Sequence, residues 1–580
     1  MNIVLTALNA KYIHSSLSLR CLKSAAKAKG YLVDTAEFTI NNDPKQILKE
    51  LFIKKPDVLC FSCYIWNISM ILSIAQNIKK ILPDTVIVLG GPEVSFDAED
   101  TLKKYTFIDF VMRGEGEYTF VRFTEYLYGK RELKDVTGIT YRNNEDIISN
   151  PLSEPVDLNE IPFVYESLDE LENRIIYYET QRGCPYSCQF CLSGDDKKLR
   201  FLDIERVKKE LQFFLDNKVP QVKFVDRTFN CKKSHAMEIW KYCMENDNGI
   251  TNFHMEISAE IMDEDMLELL KDAREALFQF EVGVQSTNMT TLEAVKRKCN
   301  FNNLKSIVDK VHSFGNIHQH LDLIAGLPYE DYNSFRNSFN DVYSLNPQQL
   351  QLGFLKLLKG SGLRADAEKY GIVYDEKAPY EVLFTKAIPY EDMLKLKAIE
   401  EFTETYYNSS KALNTIAYAV TVFGTPFDFY EKAGLYMEMH GYTKNQSSKA
   451  QTYTNLYEFF VSEGLDSETL DILKELLLFD MLLNDNLRSF PYWINDEDEE
   501  LKAIKRGFFN NKELVEKHLP AHSDLAPARL GRQFGMAKFS FDISRRHFSA
   551  ASPIEKQKTF IIFDYSSKNS ITGLAKAIKI

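Results

Sequence analysis

What the chain lacks narrows its class. No run reaches the ~18–20 apolar residues of a membrane span, so no membrane partner is expected. The apolar stretch Met1–Ala10 has no basic leader or cleavage site and reads as a first strand, not a signal peptide. Basic residues are in deficit: 70 Lys and Arg against 83 Asp and Glu leave a net charge of −13. Broad nucleic-acid binding leans on a basic surface, so no such partner is expected either. Disorder-type segments are missing, and 44% hydrophobic with 13% aromatic residues can fill large cores. Nine cysteines, an odd count with no secretory signal, point to a reducing cytoplasm. At 580 residues the chain should divide into about three or four domains.

Three of the cysteines fall together in Cys184-Pro-Tyr-Ser-Cys188-Gln-Phe-Cys191, behind an apolar run at 174–180 and the pair Arg182-Gly183. The C-x3-C-x2-C spacing lets three thiolates of one short loop converge on one metal centre. Iron–sulfur clusters are usually held by four cysteines, so three leave one iron open. A zinc site calls for a second Cys or Cys/His pair, and none lies downstream. A disulfide would leave one thiol over. The loop resembles the cluster motif of radical S-adenosylmethionine (SAM) enzymes. That resemblance implies a [4Fe–4S] cluster on Cys184, Cys188 and Cys191, with the SAM amino and carboxylate groups on the open iron. An electron from the cluster then yields a 5′-deoxyadenosyl radical. Phe190 matches the family's aromatic near the adenine.

Residues 1–135 alternate short apolar strands, expected at 3–7, 33–38, 57–63, 85–89 and 107–112, with helical patterns at 17–29, 45–54, 68–82 and 99–104. Such alternation argues for a doubly wound, Rossmann-like parallel sheet whose ligands sit beyond the carboxyl ends of its strands. Beside the cluster loop, the domain resembles the cobalamin-binding half of cobalamin-dependent radical SAM enzymes. By that resemblance, Gly90, Gly91, Pro92 and Glu93, with Gly114, Glu115, Gly116 and Glu117, would line the pocket for the nucleotide tail. Asn9 and Tyr12, and Ser62, Tyr64 and Trp66, would approach the corrin ring. One departure matters: the D-x-H-x-x-G motif that supplies a lower histidine is absent, so His14 reads as structural or as a polar pocket group, and cobalt is expected to carry no imidazole. Methylthiotransferases carry three N-terminal cysteines for a second cluster. Here Cys60 and Cys63 lie three apart on a strand and face opposite ways, and Cys21 lies in a helix pattern, so all three read as core.

Residues 136–173 read as a hairpin followed by a proline-marked linker. From 174 to 372 the alternation resumes, with strands expected at 221–225, 252–257, 277–283, 318–324 and 349–355. With the cluster strand this makes a partial (βα)6 barrel, TIM-like, with its chemistry at the strand carboxyl ends. Residues there match the anaerobic coproporphyrinogen-oxidase-like branch of the radical family. The match implies SAM contacts from Glu256 (amino group), Gln285 with its neighbour Ser286 (methionyl end or ribose), Arg297 (carboxylate) and Asp322 (ribose), and from the backbone of Gly326 and Leu327. Asp226-Arg227 is a further pocket candidate, and a structural salt bridge explains it equally well. Cys231, Cys243 and Cys299 read as packing residues.

Residues 373–580 read as mostly α with a small β element, and resemble only an uncharacterised extension. Gly424-Thr-Pro426 marks a break, and the acidic run 496–500 reads as a solvated face. The stretch 528–548 interleaves Arg529, Arg532, Lys538, Arg545 and Arg546 with Phe534, Phe539, Phe541 and Phe548. It reads as an amphipathic hairpin, with a clamp for an anionic substrate as the rival reading. The resemblance as a whole implies an α/β enzyme with cobalamin, a [4Fe–4S] cluster and SAM. The implied reaction methylates an unactivated carbon, or phosphorus, through methylcobalamin, with a small electron-transfer protein as reductant. Rearrangement or cyclisation without methyl transfer, RNA modification, and a non-catalytic sensor stand as alternatives.

Overall fold

Every residue of the first strand, β1 (Ile3–Asn9), is buried, as a strand covered on both faces requires. The computed structural model describes residues 1–194, 197–442, 448–486, 490–494, 498–543 and 554–580. Around β1 stand β2 (Asp34–Thr39), β3 (Val58–Ser62), β4 (Val86–Gly90) and β5 (Phe110–Met112), all parallel in the order β2-β1-β3-β4-β5. The hairpin β6 (Ile139–Asn143) and β7 (Asp146–Ser149) is no free connector: β6 pairs antiparallel with β5 and extends this sheet to seven strands. One face packs on helices Pro44–Lys54 and Ile68–Ile81 through Ile47, Leu51, Ile71 and Ile78. The other packs on Leu17–Ala28 and Gly116–Leu127 through Leu19, Phe120 and Phe123. The second of these helices was not expected from the sequence, where Gly114–Glu117 reads as a loop.

The next sheet is fully parallel, with neighbours in chain order: β8 (Ile176–Tyr178), β11 (Gln221–Phe224), β12 (Asn252–Ile257), β13 (Phe278–Gln285), β14 (His318–Ala325) and β15 (Gln349–Phe354). A two-residue ribbon, β9 (Gln181–Arg182) with β10 (Arg200–Phe201), brackets the cysteine loop. Along β13 the burial alternates strictly: Phe278, Phe280, Val282 and Val284 are buried, and Gln279, Glu281, Gly283 and Gln285 are less so. The apolar set packs on the outer helices, where Trp240 is fully buried and donates to Met255 Sδ. The polar set faces the barrel interior, as the period of two dictates. Between β13 and β14 the register shifts at Gly283/Gln285, and Gln285 has φ +72°, so its side chain is re-aimed.

The C-terminal third packs helices Tyr390–Phe402, Leu413–Val422, Pro426–Met439, Lys449–Ser462 and Ser467–Asn484 on a core continuous with that of the barrel. Behind β16 (Val373–Tyr374) and β17 (Val382–Phe384) follows an antiparallel sheet of β18 (Phe534–Phe539), β19 (Thr559–Lys568) and β20 (Ala575–Lys579). The break at 424–426 is real: Thr425 caps the helix that starts at Pro426. The acidic run is not merely a solvated face. Asp498 caps Glu499–Asn510, and Asp498 and Glu500 pair with Lys538 and Lys558; 496 and 497 lie outside the described residues. Phe534, Phe539 and Phe541 are buried, so the aromatics of the would-be clamp are core, while Arg545, Arg546 and Phe548 lie outside the described residues. No described helix is long and apolar enough to cross a membrane.

The first domain is keyed to the barrel by Glu93. Its carboxylate is buried, accepts from the Tyr380 hydroxyl, and lies 2.9 Å from Lys359 Nζ, which also reaches Asp97 at 2.8 Å. Removing one partner of a buried ion pair strands the other. Glu93→Ala is therefore expected to cost ~3 kcal/mol, read as a lowered urea midpoint. An unchanged midpoint would show that this joint carries no stability.

Candidate functional site: two adjoining cofactor cavities

At the carboxyl ends of the barrel strands lies a cavity of about 180 Å³. Cys184, Cys188 and Cys191 form one wall, and no other cysteine lines it among the described residues. Each sulfur meets a polar partner: Thr228 Oγ1 at 3.5 Å from Cys184, Arg297 Nη1, a donor, at 3.9 Å from Cys188, and the Ser193 N–H, also a donor, at 3.4 Å from Cys191. Hydrogen bonds of this kind support cluster sulfurs and tune their potential. Burial pushes the Cys188 thiol up, opposed by the Arg297 guanidinium. Burial alone favours the neutral thiol, and the Arg297 guanidinium is the neighbour that suits a cluster-bound thiolate.

Facing the cysteines are Phe190, Glu256, Gln285, Arg297 and Asp322, all five of which line this cavity. Two polar atoms among them, Gln285 Oε1 and Arg297 Nε, are buried without a hydrogen-bond partner, and Asp322 Oδ1 has only His320 Nε2 beneath it. Buried polar atoms are almost always paired, so these are set for a polar molecule such as SAM. Burial lifts the Glu256 carboxyl to about 7, against the pull of Arg227 and with the charges of Glu281 and Asp322 adding to the lift. Three expected SAM residues are elsewhere. Ser286 is fully buried and donates to Glu330 Oε1 at 2.6 Å, and Leu327 is core. Gly326, at φ +87°, packs against Val382 and Met393 and does not line the cavity. Ser286 follows Gln285 on a strand where only alternate side chains face the interior, whereas Gly326 and Leu327 were expected to offer backbone, which the burial of these residues does not decide.

Sequence reading missed a polar layer just beneath, along the same strands. His254 Nε2 lies 3.0 Å from Glu281 Oε2, Lys223 Nζ lies 3.1 Å from the same oxygen, and His320 Nε2 lies 3.0 Å from Asp322 Oδ1. Although burial opposes it, the His254 hydrogen bond and the Lys223 charge hold Glu281 well below the usual carboxylate range. His254, Glu281 and His320 converge as metal ligands would, but the Lys223 ammonium already occupies the cation's role on Glu281. The signal was there: His254-x-Glu256, Glu281-x-Gly283-x-Gln285 and His320-x-Asp322 are polar residues at period two in otherwise apolar strands.

A second cavity, of about 420 Å³, opens beside the first and runs down between the N-terminal sheet and its helices. Gly90, Gly91, Pro92, Gly114, Glu115, Gly116 and Glu117, with Ser62 and Tyr64, line its polar parts. Leu5, Leu19, Val88, Met112 and Phe120 form the apolar depth, suited to a flat nucleotide base. Gly91 is obligatory here: at φ +108°, a Cβ would stand 2.6 Å from the Cys63 carbonyl. Cys21 and Cys60 also line this depth and Cys63 is buried in the core, all three as free thiols. Burial pushes Cys60 up to about 12, so it is a neutral wall residue.

Four of the expected cobalamin residues do not line the cavity. Glu93 turns away to Lys359, because Pro92–Ser95 is a short helix that rotates it off the mouth. Asn9 is buried, donating to Glu37 and the His14 carbonyl. Tyr12 lies exposed under Arg174, and Trp66 donates to the Leu8 carbonyl while stacking on Tyr64. His14 is a joint between domains: its Nδ1 lies 2.7 Å from Tyr177 Oη, and it does not line the cavity. Arg227, 56% exposed, lines both cavities and is the one residue they share among the described residues. Beneath it Asp226 is fully buried and accepts from Thr180 N and Oγ1 and from Gln181 N.

Comparison with known proteins follows the same division. Family models match at residues 3–124 (B12 binding domain), 178–342 (Radical SAM superfamily) and 368–563 (Protein of unknown function, DUF4080). The cobalamin-dependent radical SAM methyltransferase TokK of Streptomyces tokunonensis is 28% identical over 345 residues, 55% of this chain and 50% of that protein. An anaerobic magnesium-protoporphyrin IX monomethyl ester cyclase of Synechocystis is 25% identical over 230 residues, 38% of this chain and 46% of that protein. The solved structure of the cobalamin-dependent SAM radical enzyme OxsB aligns over 84% of this chain and 81% of its own, with TM-score 0.58 and 16% identity. The chain spans about half the length of the curated relatives it matches. The chain carries a B12 binding domain followed by a Radical SAM domain, the arrangement of the cobalamin-dependent radical SAM enzymes it resembles. Its cofactors are cobalamin, a [4Fe–4S] cluster and SAM.

Two outcomes follow. Replacing Cys184, Cys188 and Cys191 together with Ala is expected to abolish iron loading, measured as iron per chain. Wild-type iron in that variant would place the cluster elsewhere. Paramagnetic resonance of bound cobalamin in its Co(II) form should show no nitrogen triplet that depends on His14. A triplet lost in His14→Ala would make that histidine a cobalt ligand.

Proposed function

We propose that the chain is a radical SAM enzyme that methylates an unactivated carbon, with phosphorus as the other fitting centre. The observation that carries this reading is the shared wall: the two cofactor cavities meet at Arg227, so one molecule between them is within reach of both. When bound, the cluster and SAM supply a radical for hydrogen abstraction and cobalamin supplies a methyl group. The chain's own residues bind and orient. Cys184, Cys188 and Cys191 would hold three irons, and Glu256 and Arg297 would take the SAM ammonium and carboxylate, opposite charges set apart as a zwitterion requires. Asp322 would hold the ribose, Gln285 the methionyl end, and Phe190 the adenine. Gly90, Gly91 and Gly114 would admit the cobalamin tail, and Ser62 and Tyr64 would approach the corrin.

A cyclisation or rearrangement is the second reading, supported by similarity to the cyclase of Synechocystis. The RNA reading finds less support, since Phe534, Phe539 and Phe541 of the C-terminal basic stretch are buried and offer no stacking face. The orphaned polar atoms of the SAM cavity count against a non-catalytic sensor. The cysteines outside the cluster loop are free thiols, which suits a reducing cytoplasm, and reduction of the cluster calls for a small electron-transfer protein.

Anaerobic protein loaded with cluster and cobalamin should convert SAM to 5′-deoxyadenosine and S-adenosylhomocysteine under reduction. Formation of neither would overturn the reading. Glu256→Ala and Arg297→Ala should each weaken SAM binding roughly tenfold to a hundredfold, the worth of a hydrogen bond to a charged group. A neutral carboxyl cannot pair with the ammonium, so wild-type affinity should rise with pH through about 7. That dependence should vanish in Glu256→Gln. A pH-independent wild type would remove Glu256 from the role.

A further inference from the structure

We propose that Arg227 is the substrate-recognition residue and that the substrate carries an anionic group, carboxylate or phosphoryl, which its guanidinium binds. The inference rests on the proposed function and names the substrate class of that site. Arg227 leaves β11 at the point where Asp226 pins the strand end to Thr180 and Gln181, so its backbone is fixed while its side chain stands in the gap.

The other charges around that gap are matched, or, for Arg297, assigned to the SAM carboxylate. Glu115 pairs with Arg200 at 2.6 Å, and Glu117 and Glu179 each pair with Arg182 at 2.7 Å. Glu281 is matched by Lys223, and Arg297 donates to the Gly283 carbonyl. Arg227 is different. Among the described residues its one ion-pair partner is Glu256, at 3.8 Å, beyond hydrogen-bond range. Once Glu256 takes the SAM ammonium, Arg227 is a half-exposed guanidinium with no anion. Its planar fork of donors fits a carboxylate or a phosphoryl group bidentately. Occupation of the SAM cavity therefore frees the group that receives the substrate, and the two ligands must favour each other by the same factor.

Isothermal titration of SAM into the cluster- and cobalamin-loaded protein tests this, with acetate or inorganic phosphate as the probe. In the wild type either anion should tighten SAM binding by about fivefold or more, phosphate leading if the group is phosphoryl and acetate if it is carboxylate. In Arg227→Gln SAM should still bind, and neither anion should change its affinity. Arg227→Lys should keep part of the effect. Equal responses of wild type and Arg227→Gln, or no response in a wild type that binds SAM, would overturn this inference alone. A wild type that binds no SAM would overturn the proposed function with it.

Discussion

The geometry of the site depends on one guanidinium. Arg182, two residues before Cys184, reaches Glu117 and Glu179 at 2.7 Å and Glu115 at 3.2 Å. Glu115 and Glu117 stand at the mouth of the N-terminal cavity, and Arg182 belongs to the ribbon that brackets the cysteine loop. One side chain thus ties the cobalamin domain to the base of the cluster loop. Arg200, on the facing strand of that ribbon, binds the other side of Glu115 and, despite its burial, holds that carboxyl below its usual range. Charges gathered in a half-buried place are costly unless each is matched, so the network fixes how the two domains sit. Glu93 with Lys359 makes the second fixed point, next in the chain to Gly90–Pro92 of the same cavity.

From those two joints the rest follows. Holding the carboxyl ends of two parallel sheets face to face brings two ligand sites, each ordinary for its fold, into contact along one short wall. The polar layer beneath, Lys223 with His254 and Glu281, fills the barrel interior with paired charge and leaves the free polar atoms at the level of the cysteines. The apolar depth between sheet and helices on the other side leaves room for a nucleotide tail without any histidine reaching upward.

Features carried by local chemistry were legible in the sequence. The cysteine loop, the parallel strands and Gly90-Gly91 are set by spacing and by backbone conformation, and they stand where expected. Glu256, Gln285, Arg297 and Asp322 were found through resemblance, and His254, Glu281 and His320 were readable from the period of two. Features that depend on how domains meet were not legible. Glu93 leaves its turn in a direction set by Pro92–Ser95 and by Lys359, some 270 residues away in sequence. Asp226-Arg227 was legible as a pocket candidate, but the place of Arg227 between the cavities exists only once Arg182 has joined the domains. Phe534 and Phe539 alternate with charged or small residues as a surface clamp would, yet a third layer of helices buries them.

The claim that both cofactors face one another within one chain has a direct physical readout. Protein loaded with cobalamin in its Co(II) form and with a reduced cluster holds two unpaired spins in adjoining cavities. Paramagnetic resonance should show dipolar broadening of each signal, absent when either centre is left out. Two sharp, independent signals from a chain carrying one cluster and one cobalamin would contradict it.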